Sequence, residues 1–325
     1  MRKTLIVVLA CMAMACMTAG FAFATGQGES KATTPAYHFT VIIYDTAGNP
    51  WWKPAINGVN ESAAALGVKV DIQYAENQPD KQNDLIETAI TNKVDGIVLA
   101  FNVPDAYNKN VTKARAAGIP VVAFNIDDPK GAEGADRMAF MGQDFAVAGY
   151  LVTKRLIKDG NLKEGDFVMC PVEHPEATYA KERYRGVKKA LDEVGIKSEV
   201  LDTGAVSLED TLNKLTQYLI GHKNASGILA MGGMPLSQSA KAVKDAGLKI
   251  PVAGFDLTKE IVQNIIDGTV IAAVDQQPYY QGAFPIMQLF LFKKYGLLPC
   301  EINTGGAIVD KSTAKQVLAL SGTYR

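Results

Sequence analysis

The chain has 325 residues, 48% of them hydrophobic and 21% charged, with 33 Lys and Arg against 34 Asp and Glu and a formal net charge of −1. This even balance, without a basic block, argues against nucleic acid as a partner. About three hundred residues also exceed what one hydrophobic core covers, so two domains are expected.

The N-terminus reads as an export signal. Arg2-Lys3 is a positive n-region, Leu5 to Met17 an apolar core, and Ala22-Phe23-Ala24 an A-x-A cleavage site. Residues 1–24 are therefore expected to be removed, and the apolar core is too short to span a bilayer permanently. Cys16, after Ala13-Met14-Ala15, allows lipoprotein processing instead, although the usual Leu three residues earlier is lacking. Residues 25–36, rich in Gly, Ser and Thr, suit a flexible tether. After cleavage at Ala24 only Cys170 and Cys300 remain, in segments assigned to different domains, so no disulfide is expected. His38, His174 and His222 are scattered without metal-ligand spacing, and no cofactor is expected.

From Tyr37 onward short β-rich runs alternate with amphipathic segments. Strands are expected at Phe39 to Tyr44, Val68 to Tyr74, Gly96 to Ala100 and Ile119 to Phe124. Helices are expected at Trp51 to Leu66, Pro79 to Asn92 and Pro104 to Ala117, the last closed by Gly118. The pattern then restarts, with strands at Met138 to Met141, Asp166 to Cys170, Lys197 to Leu201, Gly227 to Met231 and Ile250 to Phe255. The intervening helices are Phe145 to Ile157, Tyr179 to Val194, a segment to about Ile220 opened by Ser207-Leu208-Glu209-Asp210, Leu236 to Ala246, and one ending at Asp267-Gly268. A further apolar run, Val270 to Val274, stops at Asp275-Gln276-Gln277-Pro278, where the Pro forces a turn. Such alternation implies βαβ units and parallel sheets, here in two α/β halves of similar order. The tail after Val270 holds too few elements for a third domain and must return to these halves.

In open parallel sheets ligands sit where strands end at their carboxyl edge. The residues at these ends are polar or aromatic: Asn49-Pro50-Trp51-Trp52, Phe101-Asn102, Asn125, Asp127-Asp128, Glu173-His174, Asp256 and Gln276, with Arg183 on a following helix. Carboxylates, amides and guanidinium bond hydroxyls in fixed directions, and indole faces stack on the C–H face of a sugar ring. The inventory points to a cleft for a small polar ligand, with one of the two Trp residues available for packing. Asp127-Asp128-Pro129 reads as a solvated turn rather than a calcium loop. No catalytic or phosphate-binding motif is present, and the chain reads as a binder rather than an enzyme.

In order and spacing these residues resemble the periplasmic sugar-binding proteins of ABC importers, of the ribose/galactose-binding type. The resemblance rests on Asn49-Pro50-Trp51-Trp52, Asp95-Gly96-Ile97-Val98, Ala117-Gly118-Ile119-Pro120, Gly142-Gln143-Asp144, Glu182-Arg183 with Gly186, Gly254-Phe255-Asp256, and Gln276 with Pro278. It implies a type I architecture of two doubly wound parallel-sheet lobes. Three crossing segments, near Gly142, near Asp275 and near Thr304-Gly305-Gly306, would join them. Lobe one would be 37–142 plus 277–304 and lobe two 143–276 plus 305–325. By the same resemblance Trp51 and Trp52 would flank the sugar, Asn49 would bond a hydroxyl, and Arg183 and Asp256 would hold the ring-oxygen side. Gln276 would reach in from the hinge, and Asn102, Asn125, Gln143 and His174 complete the ligand-binding set.

Two departures stand out. Asn125-Ile126 replaces the family's usual Asp, often followed by Arg. Met231-Gly232-Gly233-Met234 replaces its usual Asn-Asp. The second implies either a less hydroxylated ligand, such as a deoxy or modified sugar, or compensation by Glu173 or His174. The function implied is an exported, monomeric solute-binding protein of the periplasm. It would capture a sugar or sugar-like polyol with affinity near micromolar, roughly −8 kcal/mol, and deliver it to an ABC-type membrane permease. The alternative is a sugar-sensing or autoinducer-binding protein of the same fold, coupled to a chemoreceptor or another signalling partner.

Overall fold

The computed structural model describes residues 35–49 and 51–325. The export signal, Cys16, most of the 25–36 segment and Pro50 lie outside the described residues.

Strand β1 (His38–Ile43) leads into α1 (Trp52–Leu66), β2 (Lys69–Tyr74), α2 (Pro79–Thr91), β3 (Gly96–Leu99), α3 (Asn108–Ala116), β4 (Val121–Asn125), the short α4 (Ala132–Ala135) and β5 (Phe140–Gly142). The series then repeats as α5 (Phe145–Asp159), β6 (Phe167–Val172), α6 (Thr178–Asp192), β7 (Lys197–Asp202), α7 (Leu208–Gly221), β8 (Gly227–Ala230), α8 (Gly233–Asp245), β9 (Val252–Phe255), α9 (Lys259–Asp267) and β10 (Ala272–Asp275). Helix α10 (Pro278–Tyr295), β11 (Ile302–Asn303), β12 (Ala307–Asp310) and α11 (Ala314–Leu318) follow.

The strands form two six-stranded sheets, ordered β11-β5-β4-β3-β1-β2 and β12-β10-β9-β8-β6-β7. Position for position the two orders match. Pairing is parallel except where β12 runs antiparallel to β10. The chain passes from one sheet to the other after β5, after β10 and after β11. The central strands β3, β4, β8, β9 and β10 are buried along their whole length. Helices cover both faces of the sheets, which is why these strands read as apolar runs rather than as alternations.

In lobe one, Phe39, Val41 and Ile43 pack with Val98, Phe124 and Trp52 on one face, while Ile42, Ile97 and Leu99 pack with Ile86 and Val111 on the other. Lobe two repeats the division, with Val168, Cys170 and Val172 facing Val152 and Val187, and Met169 and Ile228 facing Leu215 and Ile261. Each lobe also has one closely apposed helix pair. A β-carbon on Gly58 of α1 would overlap the carbonyl of Tyr279, and one on Gly282 of α10 that of Ala55. Gly149 of α5 and Gly186 of α6 meet the carbonyls of Arg183 and Ala146 in the same reciprocal way.

Helix starts follow side-chain caps where these exist. The Ser207 hydroxyl accepts from the Asp210 N–H at 3.1 Å, as the Ser-x-x-Asp spacing leads one to expect, and Asp144 and Thr258 cap α5 and α9 likewise. Two expectations need correction. Helix α3 starts at Asn108 rather than near Pro104, because Asp105 is left-handed at φ 61° and residues 104–107 form turns. Pro278 opens an 18-residue helix, α10, rather than a simple turn. Proline is well suited to a first helical turn, where its missing N–H is not needed. Among the described residues no helix is long and apolar enough to cross a membrane.

Candidate functional site

A cavity of about 640 Å³ lies between the lobes, lined from both sheets by the residues that follow their strands. That volume suits a small organic ligand. Lobe one contributes Tyr44, Asp45, Asn49, Trp51, Trp52, Asn125 and Ile126. Lobe two contributes Glu173, His174, Tyr179, Arg183, Gly232, Gly233, Met234 and Asp256, and the second crossing contributes Asp275 and Gln276.

Strand β4 ends in Asn125 at φ 62°, and β9 is followed by Asp256 at φ 75°. The two strands hold matching places in their sheets, so each lobe turns a short polar side chain into the cavity through a left-handed residue. Asn and Asp are the non-glycine residues that tolerate this conformation best.

Arg183 is 3% exposed. Its Nη1 donates to the Met231 carbonyl at 2.7 Å, and its Nη2 and Nε donate to Gln143 Oε1 at 2.9 and 3.3 Å. The guanidinium carbon lies 4.1 Å from the Phe255 ring centroid and 5.1 Å from that of Tyr179. These neutral acceptors and aromatic faces hold the side chain rigid while leaving its charge unneutralised by a carboxylate.

Gln276 Nε2 donates to Asp256 Oδ1. Its backbone carbonyl accepts from Thr304 Oγ1 at 2.8 Å and from Gln281 Nε2 at 3.0 Å, and Gln281 Oε1 accepts from Asn125 Nδ2 at 3.1 Å. A continuous chain of hydrogen bonds thus runs from the lobe-one wall through α10 and the second and third crossings to the lobe-two wall. Beside it, Asp275 is 1% exposed and pairs with Arg325. Burial pushes the Asp275 carboxyl up, against the opposing Gln277 N–H and Arg325.

Asp45 organises the aromatic lip. It accepts from Asn49 Nδ2 at 2.6 Å, Trp52 Nε1 at 3.2 Å, Asn77 Nδ2 at 3.2 Å and the Thr46 N–H at 2.7 Å. Burial acts to raise its pKa, but these donors outweigh it and hold the carboxyl below the ordinary carboxylate range. Asn49 Oδ1 also accepts the Trp51 N–H at 2.9 Å, so Asn49 ties the lip together with both ends of its amide. Trp52 is 1% exposed and packed edge-on against Tyr44 and Trp51. Trp51, half-buried, is the indole with surface to offer.

Of the ten residues expected at the site, eight line this cavity: Asn49, Trp51, Trp52, Asn125, His174, Arg183, Asp256 and Gln276. Asn102 and Gln143 do not. Asn102 accepts the Tyr107 hydroxyl at 2.8 Å within its own lobe, and Gln143, 1% exposed, stands behind Arg183 and positions it. Asp127 is engaged by Arg137, whose other nitrogen reaches Glu301, in a structural ion pair. Sequence reasoning missed Asp45 and Tyr179, whose partners are mostly nearby in sequence, and Gln281, Thr304 and Arg325, which act through partners distant in sequence.

The Gly232-Gly233 pair does not leave an apolar edge. A β-carbon on Gly232 would overlap the Glu173 carboxylate, and one on Gly233 would stand 3.3 Å from Asp256 Oδ2. Glu173 Oε1 accepts the Met234 N–H at 2.9 Å. The glycines therefore make room for two carboxylates, and Glu173 supplies the polar group that the local sequence lacks.

Residues 40–294 match the family described as periplasmic binding protein domain. Among curated relatives, the xylose/arabinose-binding protein XylF of Sulfolobus acidocaldarius is 25% identical over 86% of this chain and 73% of its own length. The ribose import binding protein RbsB of Bacillus subtilis is 26% identical over 75% of this chain and 78% of its own. Among solved structures, a carbohydrate transporter of Acidothermus cellulolyticus in complex with myo-inositol superposes with a TM-score of 0.77 at 26% identity, covering 89% of this chain and all of that one. A solute-binding protein of Actinobacillus succinogenes with bound D-allose gives 0.76 at 26% identity, covering 86% and 99%. The names favour uptake over the signalling alternative. The chain belongs to the periplasmic binding protein family, with the fold of its type I members that serve ABC importers as sugar-binding proteins.

Proposed function

We propose that this protein is an exported solute-binding protein that captures a sugar or sugar-like polyol between its lobes and delivers it to an ABC-type membrane permease. The observation that carries the reading is the interlobe cavity of about 640 Å³, lined at strand ends by directional polar groups and an indole. The names of its relatives and the carbohydrates bound in its structural neighbours support it.

In this reading the lobes are residues 37–142 plus 277–304 and residues 143–276 plus 305–325, hinged at the three crossings. Trp51 is the stacking platform. Arg183, Asp256, Asn125 and Gln276 bond hydroxyls, and His174 sits at the rim. Asn49 and Trp52 support the platform, and Gln143 holds Arg183. The export signal directs the chain to the periplasm, where it acts as a monomer, with Cys16 as a possible lipid attachment point. In this reading Glu173 compensates for the missing contact, which the position of its carboxylate beside Gly232 supports.

A thermal-shift screen across pentoses, hexoses and polyols tests the reading, since a ligand that binds the native state raises its apparent stability. A carbohydrate is expected to raise Tm and to change the Trp fluorescence. A screen in which no carbohydrate shifts Tm, while another class of solute does, overturns it. A mass measurement on the exported protein tests the Ala24 and Cys16 alternatives directly.

A further inference from the structure

Arg183, Glu173 and Asp256 face one another across the lobe-two wall of the cavity. Among the described residues each is bonded to neutral groups rather than to an opposite charge. Arg183 donates to Gln143 and the Met231 carbonyl, Glu173 accepts from the Met234 N–H and the Tyr179 hydroxyl, and Asp256 accepts from Gln276. The wall thus holds two carboxylates against one guanidinium. Lobe one adds no cation in compensation, for Asn125-Ile126 line its side. Arg325 is already paired with Asp275, and Lys259 is exposed to solvent, where screening weakens it.

Glu173 is also the carboxylate that the chain has made room for. Gly232 has no β-carbon where one would overlap Glu173, and the Met234 N–H fixes Oε1 at 2.9 Å. Tyr179 lies 3.4 Å from Oε2, a weak contact that leaves this oxygen able to accept a stronger donor. A half-buried carboxylate that shares one guanidinium with Asp256 and is hydrogen-bonded to no cation is best completed by a ligand group that both donates and carries positive charge.

We propose, resting on the sugar-binding reading above, that Glu173 is a specificity-determining residue of this cavity and that the ligand group it takes is an amino group on the sugar or polyol. The remaining hydroxyls fall to Arg183, Asp256 and Asn125. Gly232 is the permissive residue that lets the carboxylate reach the ligand.

The test is titration calorimetry at neutral pH with matched probes: D-glucosamine against D-glucose, D-galactosamine against D-galactose and D-mannosamine against D-mannose, with the N-acetyl forms as uncharged donors. The wild type is expected to bind at least one hexosamine about tenfold more tightly than its neutral parent, and the N-acetyl form is expected to lose that gain. In Glu173→Gln, which keeps an acceptor for the Met234 N–H, the amine-to-parent ratio is expected to fall to about one. Gly232→Ala, which forces the carboxylate off its seat, is expected to lower the ratio as well, with thermal melts verifying that both variants fold. Wild-type ratios at or below one in all pairs overturn the proposal, as does a preference that survives both variants. Binding of neutral hexoses without amine preference rejects this inference alone. No binding by any carbohydrate of the panel rejects this inference, and it rejects the sugar reading with it only where the thermal-shift screen of pentoses, hexoses and polyols is empty as well.

Discussion

Arg183 donates three hydrogen bonds to acceptors of its own protein, and a guanidinium carries more N–H groups than that. The rest are free for a ligand, on a side chain already fixed by Gln143 and by the rings of Phe255 and Tyr179. Such a pre-ordered donor binds without first losing rotamer entropy. Arg183→Ala and Asp256→Ala are each expected to weaken carbohydrate binding at least about tenfold, read by calorimetry. Wild-type affinity in both variants removes these residues from the site. Trp51→Phe is expected to abolish most of the ligand-induced fluorescence change and Trp52→Phe much less, because Trp52 is a core residue. Asp45 acts differently, through the lip that it organises. Its folded-state pKa is depressed, so its contribution to stability is present above the unfolded value, about 4, and is lost as the pH falls through the folded value. Asp45→Asn is therefore expected to lower Tm at pH 7 by a margin that narrows below about pH 4. A margin independent of pH contradicts this account.

At the scale of elements, the reciprocal glycines matter most. Gly149 and Gly186 let α5 and α6 approach until a β-carbon on either meets a backbone carbonyl, and Gly58 and Gly282 do the same for α1 and α10. A carbonyl cannot rotate away as a side chain can, so Gly186→Ala must part the helices, at a cost of about 1–3 kcal/mol. Because α6 also carries Arg183, the same change is expected to weaken ligand binding. Gly282→Ala is expected to lower Tm similarly with a smaller effect on affinity. Equal affinity loss in the two variants shows that α6 is not the element that aims the site. The strands and most helices were legible because parallel sheets covered on both faces produce apolar runs punctuated by Gly, Pro and capping residues. Helix α10 was not, because it is apolar around most of its circumference and contains Pro285, so neither an amphipathic stripe nor an uninterrupted helical pattern marks it. Losing α10 hid Gln281, and with it the hydrogen-bond chain between the lobes. At Gly232 the sequence offered compensation by Glu173 or His174 but could not choose between them, because the carboxylate that lies where the Gly232 β-carbon would be belongs to Glu173, 59 residues earlier.

At the scale of the whole molecule, the residues after α11 reach lobe one, and Arg325 anchors them to the end of β10 through its ion pair with the buried Asp275. Asp275 ends β10 at the second crossing, and Arg325 follows Tyr324, whose hydroxyl donates to Glu61 on α1 of lobe one at 3.2 Å. The Thr323 carbonyl accepts from Asn57 Nδ2, also on α1, at 2.8 Å. This segment, which follows α11 of lobe two, therefore straps lobe two to lobe one beside the second crossing. Arg325→Ala leaves the buried Asp275 carboxylate with the Gln277 N–H but no opposite charge, and its pKa, already raised by burial, rises further. A carboxyl whose folded-state pKa lies above its unfolded value favours the fold at low pH and loses that contribution as the pH rises through the folded value. The stability gap between wild type and Arg325→Ala is therefore expected to be largest at pH 7, roughly 2 kcal/mol once the partial exposure of Arg325 is allowed for. It is expected to close as acidification protonates Asp275. Urea titrations of both proteins at pH 7 and pH 5 measure it. A gap that is constant or widens toward acid shows that Arg325 acts by packing alone, and that the strap is not anchored to β10 by charge.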